Sequence, residues 1–118
     1  MATAEQTVSA VLEATNKAYI VESGDTDDGK SHYRRWSNGT IEQWGEVIVN
    51  SGYEDRTLPL AFSDANYWIS ISYKYSPNTY PAFQGVYGLT ANPKTESTFE
   101  VGSYGISGIV CNFYAIGK

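Results

Sequence analysis

The chain of 118 residues has one cysteine and one histidine, which leaves few groups for catalysis. Cys111 has no partner for an intrachain disulfide, so folding is not expected to require one, as in chains completed in a reducing cytosol. Its setting in Ile109-Val110-Cys111-Asn112-Phe113 predicts a small buried thiol on a strand. A Ser-His-Asp or Cys-His arrangement would have to use His32. Without a nucleophile-elbow sequence or a phosphate-binding glycine loop, we expect no enzyme and no cofactor.

Basic residues and long apolar runs are also scarce. The 8 Lys and Arg stand against 13 Asp and Glu, which gives a formal net charge of −5 and a pI near 4.7. Nucleic-acid binding rests largely on clustered Lys and Arg, so we expect no nucleic-acid partner. No run approaches the ~20 apolar residues of a transmembrane helix, and the N-terminus lacks a signal-peptide pattern, so we expect no membrane insertion.

Two parts of the sequence, an aspartate-rich loop and the single histidine, contain residue types that bind metals, but neither has the residue spacing of a known metal site. Three aspartates lie between Gly24 and Lys30, but the terminal glutamate and the spacing of a calcium loop are absent, so we predict a solvated loop. A symmetric oligomer, such as a trimer, would gather copies of His32 if this residue lay on the symmetry axis. No second His or Cys lies near it in the sequence, and we therefore expect no metal.

Paired carboxylates are the remaining catalytic possibility. Glu42 and Glu46 share one strand face, but glycoside hydrolysis needs two carboxyl groups at a set separation, which a sequence does not give. We expect these glutamates to serve Arg35 and the solvent, so a glycan-cleaving enzyme is a third and weaker reading.

Aromatic residues are abundant, and tyrosine dominates them. The chain is 14% aromatic, with 10 Tyr against 4 Phe. Tyrosine combines a large apolar ring with a polar tip, which suits interfaces and sugars. Together with 42% hydrophobic residues, this composition predicts one folded domain.

The Asn38-Gly39 pair between two β-rich runs predicts a tight hairpin. If these residues are the centre of a two-residue type I′ turn, each pair across the hairpin has a constant position sum. Pairing then joins Ser37 to Thr40, Trp36 to Ile41, Arg35 to Glu42, Arg34 to Gln43 and Tyr33 to Trp44.

Alternation along this predicted hairpin puts a tryptophan on each face. Trp36 would share a face with Ile41 and Gln43, and Trp44 would share the other with Glu42. A ribbon with large apolar groups on both sides suggests burial on both, one side in the core and one against a neighbouring chain. Alternatively, Trp36 or Trp44 lies half exposed at a sheet edge.

The remaining segments read as short strands between turns. Residues from Thr3 to about Lys17 lack Gly and Pro and predict a helix. Val8 and Val11 lie in a short heptad seam, but the same pattern fits an ordinary amphipathic helix packed on its own domain. In the strand from Tyr67 to Tyr75, Tyr67, Ile69, Ile71 and Tyr73 should face the core and Trp68 the other side. Further strands are predicted at Ala18–Ser23, Ile41–Asn50, Arg56–Leu60, near Phe83–Leu89, Thr98–Tyr104 and Ile109–Ile116, with turns at Ser51–Asp55 and Ala91–Ser97 and a loop at Ser76–Pro81.

This order of motifs resembles the C-terminal tip domains of tailed-bacteriophage tail fibres. Tyr19-Ile20-Val21-Glu22, the aromatic-basic strand Tyr33-Arg34-Arg35-Trp36 and the sequence Ile41-Glu42-Gln43-Trp44-Gly45 carry the resemblance. It continues through Leu58-Pro59-Leu60-Ala61-Phe62, Asn66-Tyr67-Trp68-Ile69, Thr98-Phe99 and Phe113-Tyr114-Ala115-Ile116-Gly117, where the family often has Trp in place of Tyr114.

The resemblance implies a mainly β fold: a small antiparallel β-sandwich knob at residues 18–118, with residues 1–17 as the helical stem of a homotrimer. It implies a virion protein, made in the host cytoplasm, that binds a surface glycan or outer-membrane protein of the host. The alternative is a structural knob that trimerises and caps the fibre without touching a receptor. Trp36, Trp44, Val8 and Val11 are expected to pack the trimer or the core.

Aromatic and polar residues around one predicted loop form the candidate receptor site. Stacked aromatic rings with Asn, Ser and Thr donors are suited to a pyranose or to a loop of a surface protein, although each tyrosine has packing as its plainer role. The candidates are Trp68, Tyr75, Asn78, Tyr80, Phe83 and Tyr87.

Overall fold

The computed structural model describes residues 17–74, 88–104 and 107–118, and this part of the chain contains eight β-strands and no helix. The predicted stem, apart from Lys17, lies outside the described residues, as do the loop at Ser76–Pro81 and most of the strand predicted near Phe83–Leu89. The strands are β1 (Ile20–Asp25), β2 (Ser31–Trp36), β3 (Ile41–Val49), β4 (Gly52–Thr57), β5 (Trp68–Tyr73), β6 (Thr90–Pro93), β7 (Thr98–Ser103) and β8 (Ile109–Gly117).

The strands form two antiparallel sheets with the core between them. One sheet has five strands in the order β1-β2-β3-β8-β5, and the other has three in the order β4-β7-β6. The predicted mainly β, sandwich-like fold is confirmed. The buried apolar residues are Ile41, Val47, Val49, Leu58, Phe62, Tyr67, Phe99, Val101, Ile109, Cys111, Phe113 and Ala115.

The central strands β3 and β8 show why alternation was informative. Each has nine residues, and its odd-numbered positions up to Val49 and Ala115 are buried while most even-numbered ones are partly or fully exposed. Cys111 is fully buried on β8, as predicted, and burial raises the pKa of its thiol to about 11. The thiol therefore stays protonated at neutral pH.

The β2–β3 hairpin is one residue out of the predicted register. Its loop has three residues, because the Trp36 N–H donates to the Thr40 carbonyl at 2.8 Å and the Gly39 N–H donates to the Trp36 carbonyl at 3.0 Å. Gly39 has a φ of 89°, which corresponds to a type I turn closed by a glycine bulge. Arg34 therefore pairs with Glu42, and Arg35 with Ile41.

The shift puts both hairpin tryptophans on the same side, so the prediction of one tryptophan on each face is wrong. A one-residue slip moves every side chain of a strand to the other face. Trp36 and Trp44 are partly buried on the face turned away from the core, and the core side of β3 carries Gln43 instead. The predicted pairing of Arg35 with Glu42 across the hairpin is also wrong. The Arg35 side chain forms an ion pair with Glu22 of β1 instead, with 3.4 Å between Nε and Oε2.

Other differences from the sequence-based boundaries occur in edge strands. Ser51–Asp55 was predicted as a turn, but β4 begins at Gly52 and ends at Thr57, short of the predicted end at Leu60. Ala91–Ser97 was also predicted as a turn, yet β6 runs from Thr90 to Pro93. An edge strand pairs on one side only and needs few apolar residues, so its pattern resembles that of a turn.

Candidate functional site

The side of the five-stranded sheet turned away from the core collects most of the aromatic and charged groups of that sheet. We call this side the outer face. Cross-strand pairing sets its rows: Trp44 lies between His32 and Tyr114, and Glu42 between Arg34 and Ile116. The outer face includes Ser23, Asp25, Lys30, His32, Arg34, Trp36, Glu42, Trp44, Glu46, Ile48, Trp68, Ser70, Ser72, Lys74, Val110, Asn112, Tyr114 and Ile116.

The Glu42 carboxylate contacts three other side chains of the outer face. One carboxylate oxygen accepts a hydrogen bond from Trp36 Nε1 at 2.5 Å, and the other accepts one from the Tyr114 hydroxyl at 2.5 Å. Arg34 Nε lies 3.9 Å from the same carboxylate, whose side chain is 15% exposed. Strands β2, β3 and β8 are thus joined through one carboxylate, which fixes the orientation of two aromatic rings.

Trp44 is held between side chains of β2. The Arg34 guanidinium carbon lies 4.6 Å from the centroid of its ring, and the His32 ring lies 5.7 Å away, tilted by 33°. The first contact is a cation–π interaction. His32 Nδ1 is in turn 2.6 Å from an oxygen of Asp25, which orients the imidazole.

Trp68 is the most exposed aromatic residue of the outer face. Its side chain is 59% exposed, and its ring meets Tyr114 edge to face at 6.3 Å. The prediction that Trp68 points away from the core is confirmed, as is the core side of its strand, where Ile69, Ile71 and Tyr73 pack against buried residues and Tyr67 is buried.

The structure brings together three of the predicted residues, namely Trp36, Trp44 and Trp68. Trp36 and Trp44 were predicted in core or trimer packing, and neither lies in the core. The other predicted positions lie outside the described residues: Tyr75, Asn78, Tyr80, Phe83, Tyr87, Val8 and Val11.

Sequence reasoning missed the roles of Glu42 and Tyr114. Alternation along Ile109–Ile116 would have put Tyr114 on the exposed side, opposite to Cys111. Their contact depends on β8 lying beside β3, which no local pattern reveals. Within the described residues, no group of three or more His, Cys, Asp or Glu side chains is close enough to hold a metal ion. The same residues include no helix of the length and apolar character that a membrane crossing requires.

Burial and hydrogen bonding shift the titration of the Glu42–Tyr114 pair. Burial raises the pKa of Glu42, but hydrogen bonds from Tyr114 and Trp36 and the charge of Arg34 outweigh it, so the pKa lies below its ordinary value. Burial and the hydrogen bond to Glu42 raise the pKa of Tyr114 to about 12. Glu42 is therefore ionised and Tyr114 protonated at neutral pH.

This pair gives a testable pH dependence. Because the folded pKa of Glu42 is lowered, its contribution to stability is present above the ordinary value of 4.5 and is lost as pH falls through the folded pKa. We expect Glu42→Gln to lower the free energy of unfolding at neutral pH by about 1–2 kcal/mol and to reduce the further loss between about pH 7 and pH 3. Urea unfolding at several pH values measures both.

Tyrosine absorbance supplies an independent check on the same variant. Removal of the carboxylate charge should lower the pKa of Tyr114, so one tyrosine of Glu42→Gln should ionise at lower pH than in the parent. Tyr114→Phe identifies that tyrosine. Identical tyrosine titrations in the parent and Glu42→Gln would contradict the assigned hydrogen bond.

Comparison with solved structures identifies the fold. The chain aligns over 100% of its length with an N-truncated R2-type pyocin tail fibre, at 19% identity and a TM-score of 0.58, and covers 44% of that chain. A Pseudomonas aeruginosa R2 pyocin fibre structure comprising C-terminal residues 323–691 gives 18% identity and the same TM-score, and the chain covers 30% of its length. An N-truncated R1-type pyocin tail fibre gives 18% identity, a TM-score of 0.52 and 98% coverage.

The chain thus spans less than half of the two R2 fibre chains and nearly all of the R1 chain. No curated protein sequence matches it. The model of one family, described as the C-terminal part of a putative tail fibre protein, gp53-like, matches residues 34–118. That range contains β3, β8 and nearly all of the outer face, and the chain belongs to the gp53-like family of tail-fibre C-terminal domains.

Proposed function

We propose that this domain is the receptor-binding tip of a phage or phage-tail-like fibre, acts as a homotrimer, and attaches the particle to a glycan or outer-membrane protein of the host cell. Membership of the tail-fibre family supports the setting. The observation that carries the proposal is the exposure of Trp68 at 59%, next to Tyr114 and on the same face as Trp44 and Trp36. The domain acts as a binding protein and not as an enzyme.

The physical basis is a set of fixed aromatic rings among polar groups. Trp and Tyr supply contact area at a low cost in conformational entropy, and they are enriched in binding hot spots. Glu42 holds two of these rings before any partner arrives, which reduces the ordering cost of binding. Three such faces on one fibre, and several fibres on one particle, would turn weak contacts into firm attachment.

The alternative role is a knob that assembles and caps the fibre without touching a receptor. Ile48 and Val110 favour it, because they pair across β3 and β8 and are 51% and 37% exposed. Adjacent exposed apolar groups are typical of a surface that another chain covers. In this case a second copy would cover the outer face.

Substitution of Trp68 separates the two roles. We expect Trp68→Ser to weaken binding to cells sensitive to the parent particle by about thirtyfold, the effect of losing a hot-spot residue, without changing the sedimented mass. Binding is measured with labelled protein on cells with intact or stripped surface glycans. The matched control is Tyr53→Ser, since Tyr53 is 70% exposed on the three-stranded sheet.

The two measurements have opposite outcomes for the two roles. Loss of the assembled mass in Trp68→Ser would assign the outer face to subunit contact. A folded trimer that does not adhere to sensitive cells would contradict receptor binding altogether. If Tyr53→Ser weakened adhesion as much as Trp68→Ser, the outer face would not be the binding surface.

A further inference from the structure

A groove lies on the outer face at the end away from Trp68. It has a volume of about 340 Å³, and its lining includes Lys30, His32, Trp44, Glu46 and Asn112. This volume is at the lower end of the ~300–1,000 Å³ range of small-molecule sites, so the groove has room for a small cyclic ligand. The side chains of Trp44 and His32 supply aromatic rings to the lining, Lys30, Glu46 and Asn112 supply polar groups, and Gly29, Gly45 and Phe113 complete it.

The β-ladder explains how these residues meet. The Glu46 N–H donates to the Lys30 carbonyl at 2.9 Å, so the β2–β3 pairing extends one step beyond Ser31 and Gly45. Lys30 is thus the cross-strand neighbour of Glu46, and Asn112 is its neighbour on β8. A polar row of Lys30, Glu46 and Asn112 therefore runs parallel to the aromatic row of His32, Trp44 and Tyr114.

Two of the polar groups are available to a ligand. The side chains of Lys30 and Asn112 form no hydrogen bond or ion pair with any other residue in the described part of the chain. Glu46 and His32 are held in place by protein partners, because one carboxylate oxygen of Glu46, Oε1, forms an ion pair with Lys74 and His32 contacts Asp25. The groove lining carries one lysine and one glutamate, so these two charges balance, and Asp25 lies against His32. The groove is therefore suited to a neutral, polar ligand.

We propose that this groove binds a single pyranose ring of a host surface polysaccharide, so it would be one sugar subsite of the receptor-binding surface. The inference rests on the proposed function and specifies its ligand class. A pyranose has an apolar ring face that packs on aromatic walls and hydroxyl groups that accept hydrogen bonds from Lys30 Nζ and the Asn112 amide. The ion pair of Glu46 with Lys74 keeps a carboxylate acceptor in place for hydroxyl donors.

The test uses the intact chain and defined sugars. Methyl pyranosides of glucose, galactose, mannose, rhamnose and glucuronic acid are added up to about 50 mM, which detects dissociation constants near 10 mM, while the Trp44 indole N–H is followed by NMR. We expect at least one sugar to shift this signal saturably. Asn112→Ala and Lys30→Ala should each weaken that binding about three- to tenfold.

Asn92→Ala is the matched control, because Asn92 is exposed on β6 in the other sheet. It should leave the titration unchanged. If no pyranoside moves the Trp44 signal, or if Asn112→Ala and Lys30→Ala bind like the parent, the groove is not a sugar subsite. If Asn112→Ala adhered to sensitive cells as well as the parent chain does, the sugar subsite would be overturned but receptor binding would stand. If the parent chain itself did not adhere, both the subsite and the receptor-binding function would be overturned.

Discussion

Gln43→Ala is expected to lower the free energy of unfolding by about 3–4 kcal/mol, equivalent to a fall of roughly 10–20 °C in the melting temperature. Gln43 is fully buried on the core side of β3. Its Nε2 donates to the Leu60 carbonyl at 3.0 Å, and its Oε1 accepts from the Leu60 N–H at 2.8 Å. Truncation leaves a cavity and two backbone groups of the β4–β5 connection without partners, and each such group costs about 1–3 kcal/mol when buried.

Two further variants separate the causes of this loss. Gln43→Met keeps the volume but removes both hydrogen bonds, so it should cost about 2 kcal/mol. Glu46→Ala, which truncates a side chain of similar size on the outer side of the same strand, should change stability far less. Urea unfolding at one fixed protein concentration measures all three, because assembly would make the midpoint concentration-dependent. A Gln43→Ala variant as stable as Glu46→Ala would contradict the role of Gln43.

The four consecutive β3 residues of the Glu-Gln-Trp-Gly sequence have distinct structural roles. Glu42 joins Trp36 to Tyr114, and Gln43 fixes the Leu60 segment. Trp44 packs with Arg34 and His32. Gly45 has no side chain, so the Lys30 backbone can approach it closely. These four residues alternate between the two faces of β3. Glu42 and Trp44 organise the outer face, and Gln43 and Gly45 pack on the core side.

Most of the central strands could be predicted from local pattern. β8 has apolar residues at every second position from Ile109 to Ala115, β3 ends in the β-branched run Val47 to Val49, and the boundaries of both strands agree closely with the prediction. The hairpin register could not be predicted, since Asn38-Gly39 fits both a two-residue turn and the three-residue loop that forms. In the observed loop the Asn38 side chain accepts a hydrogen bond from the Thr40 N–H at 2.9 Å, which stabilises the longer loop.

The candidate site was predictable only where it depended on one strand. The outward orientation of Trp68 followed from alternation in β5 alone. The contact between Glu42 and Tyr114 joins residues 72 positions apart, and it requires β8 to insert between β3 and β5. That strand order is set by tertiary packing, so the outer face could not be assembled from the sequence even with each strand correctly assigned.

Gly45→Ala is expected to cost about 3 kcal/mol or more and to open the base of the β2–β3 hairpin. A Cβ at Gly45 would lie 2.4 Å from the Lys30 carbonyl oxygen and 2.7 Å from the Ser31 Cα, and backbone atoms cannot rotate away as a side chain can. The Glu46 to Lys30 hydrogen bond should break with it. Amide exchange at Glu46 and urea unfolding measure the two effects.

Gly24→Ala is the matched control, because Gly24 also lies in a strand of the five-stranded sheet and the three atoms nearest to its added Cβ belong to the Tyr33 side chain, the hydroxyl oxygen at 2.5 Å and two ring carbons at 2.6 and 2.8 Å. Tyr33 is a side chain of β2 whose hydroxyl donates to Glu22 on the edge strand β1, and it can rotate away, so the loss should be less than half of that in Gly45→Ala. Since Lys30 and Glu46 line the sugar groove, Gly45→Ala should also abolish the Trp44 response to pyranosides. Equal stability losses in the two glycine variants would show that the Lys30 backbone yields, and that close packing at Gly45 does not hold the hairpin base.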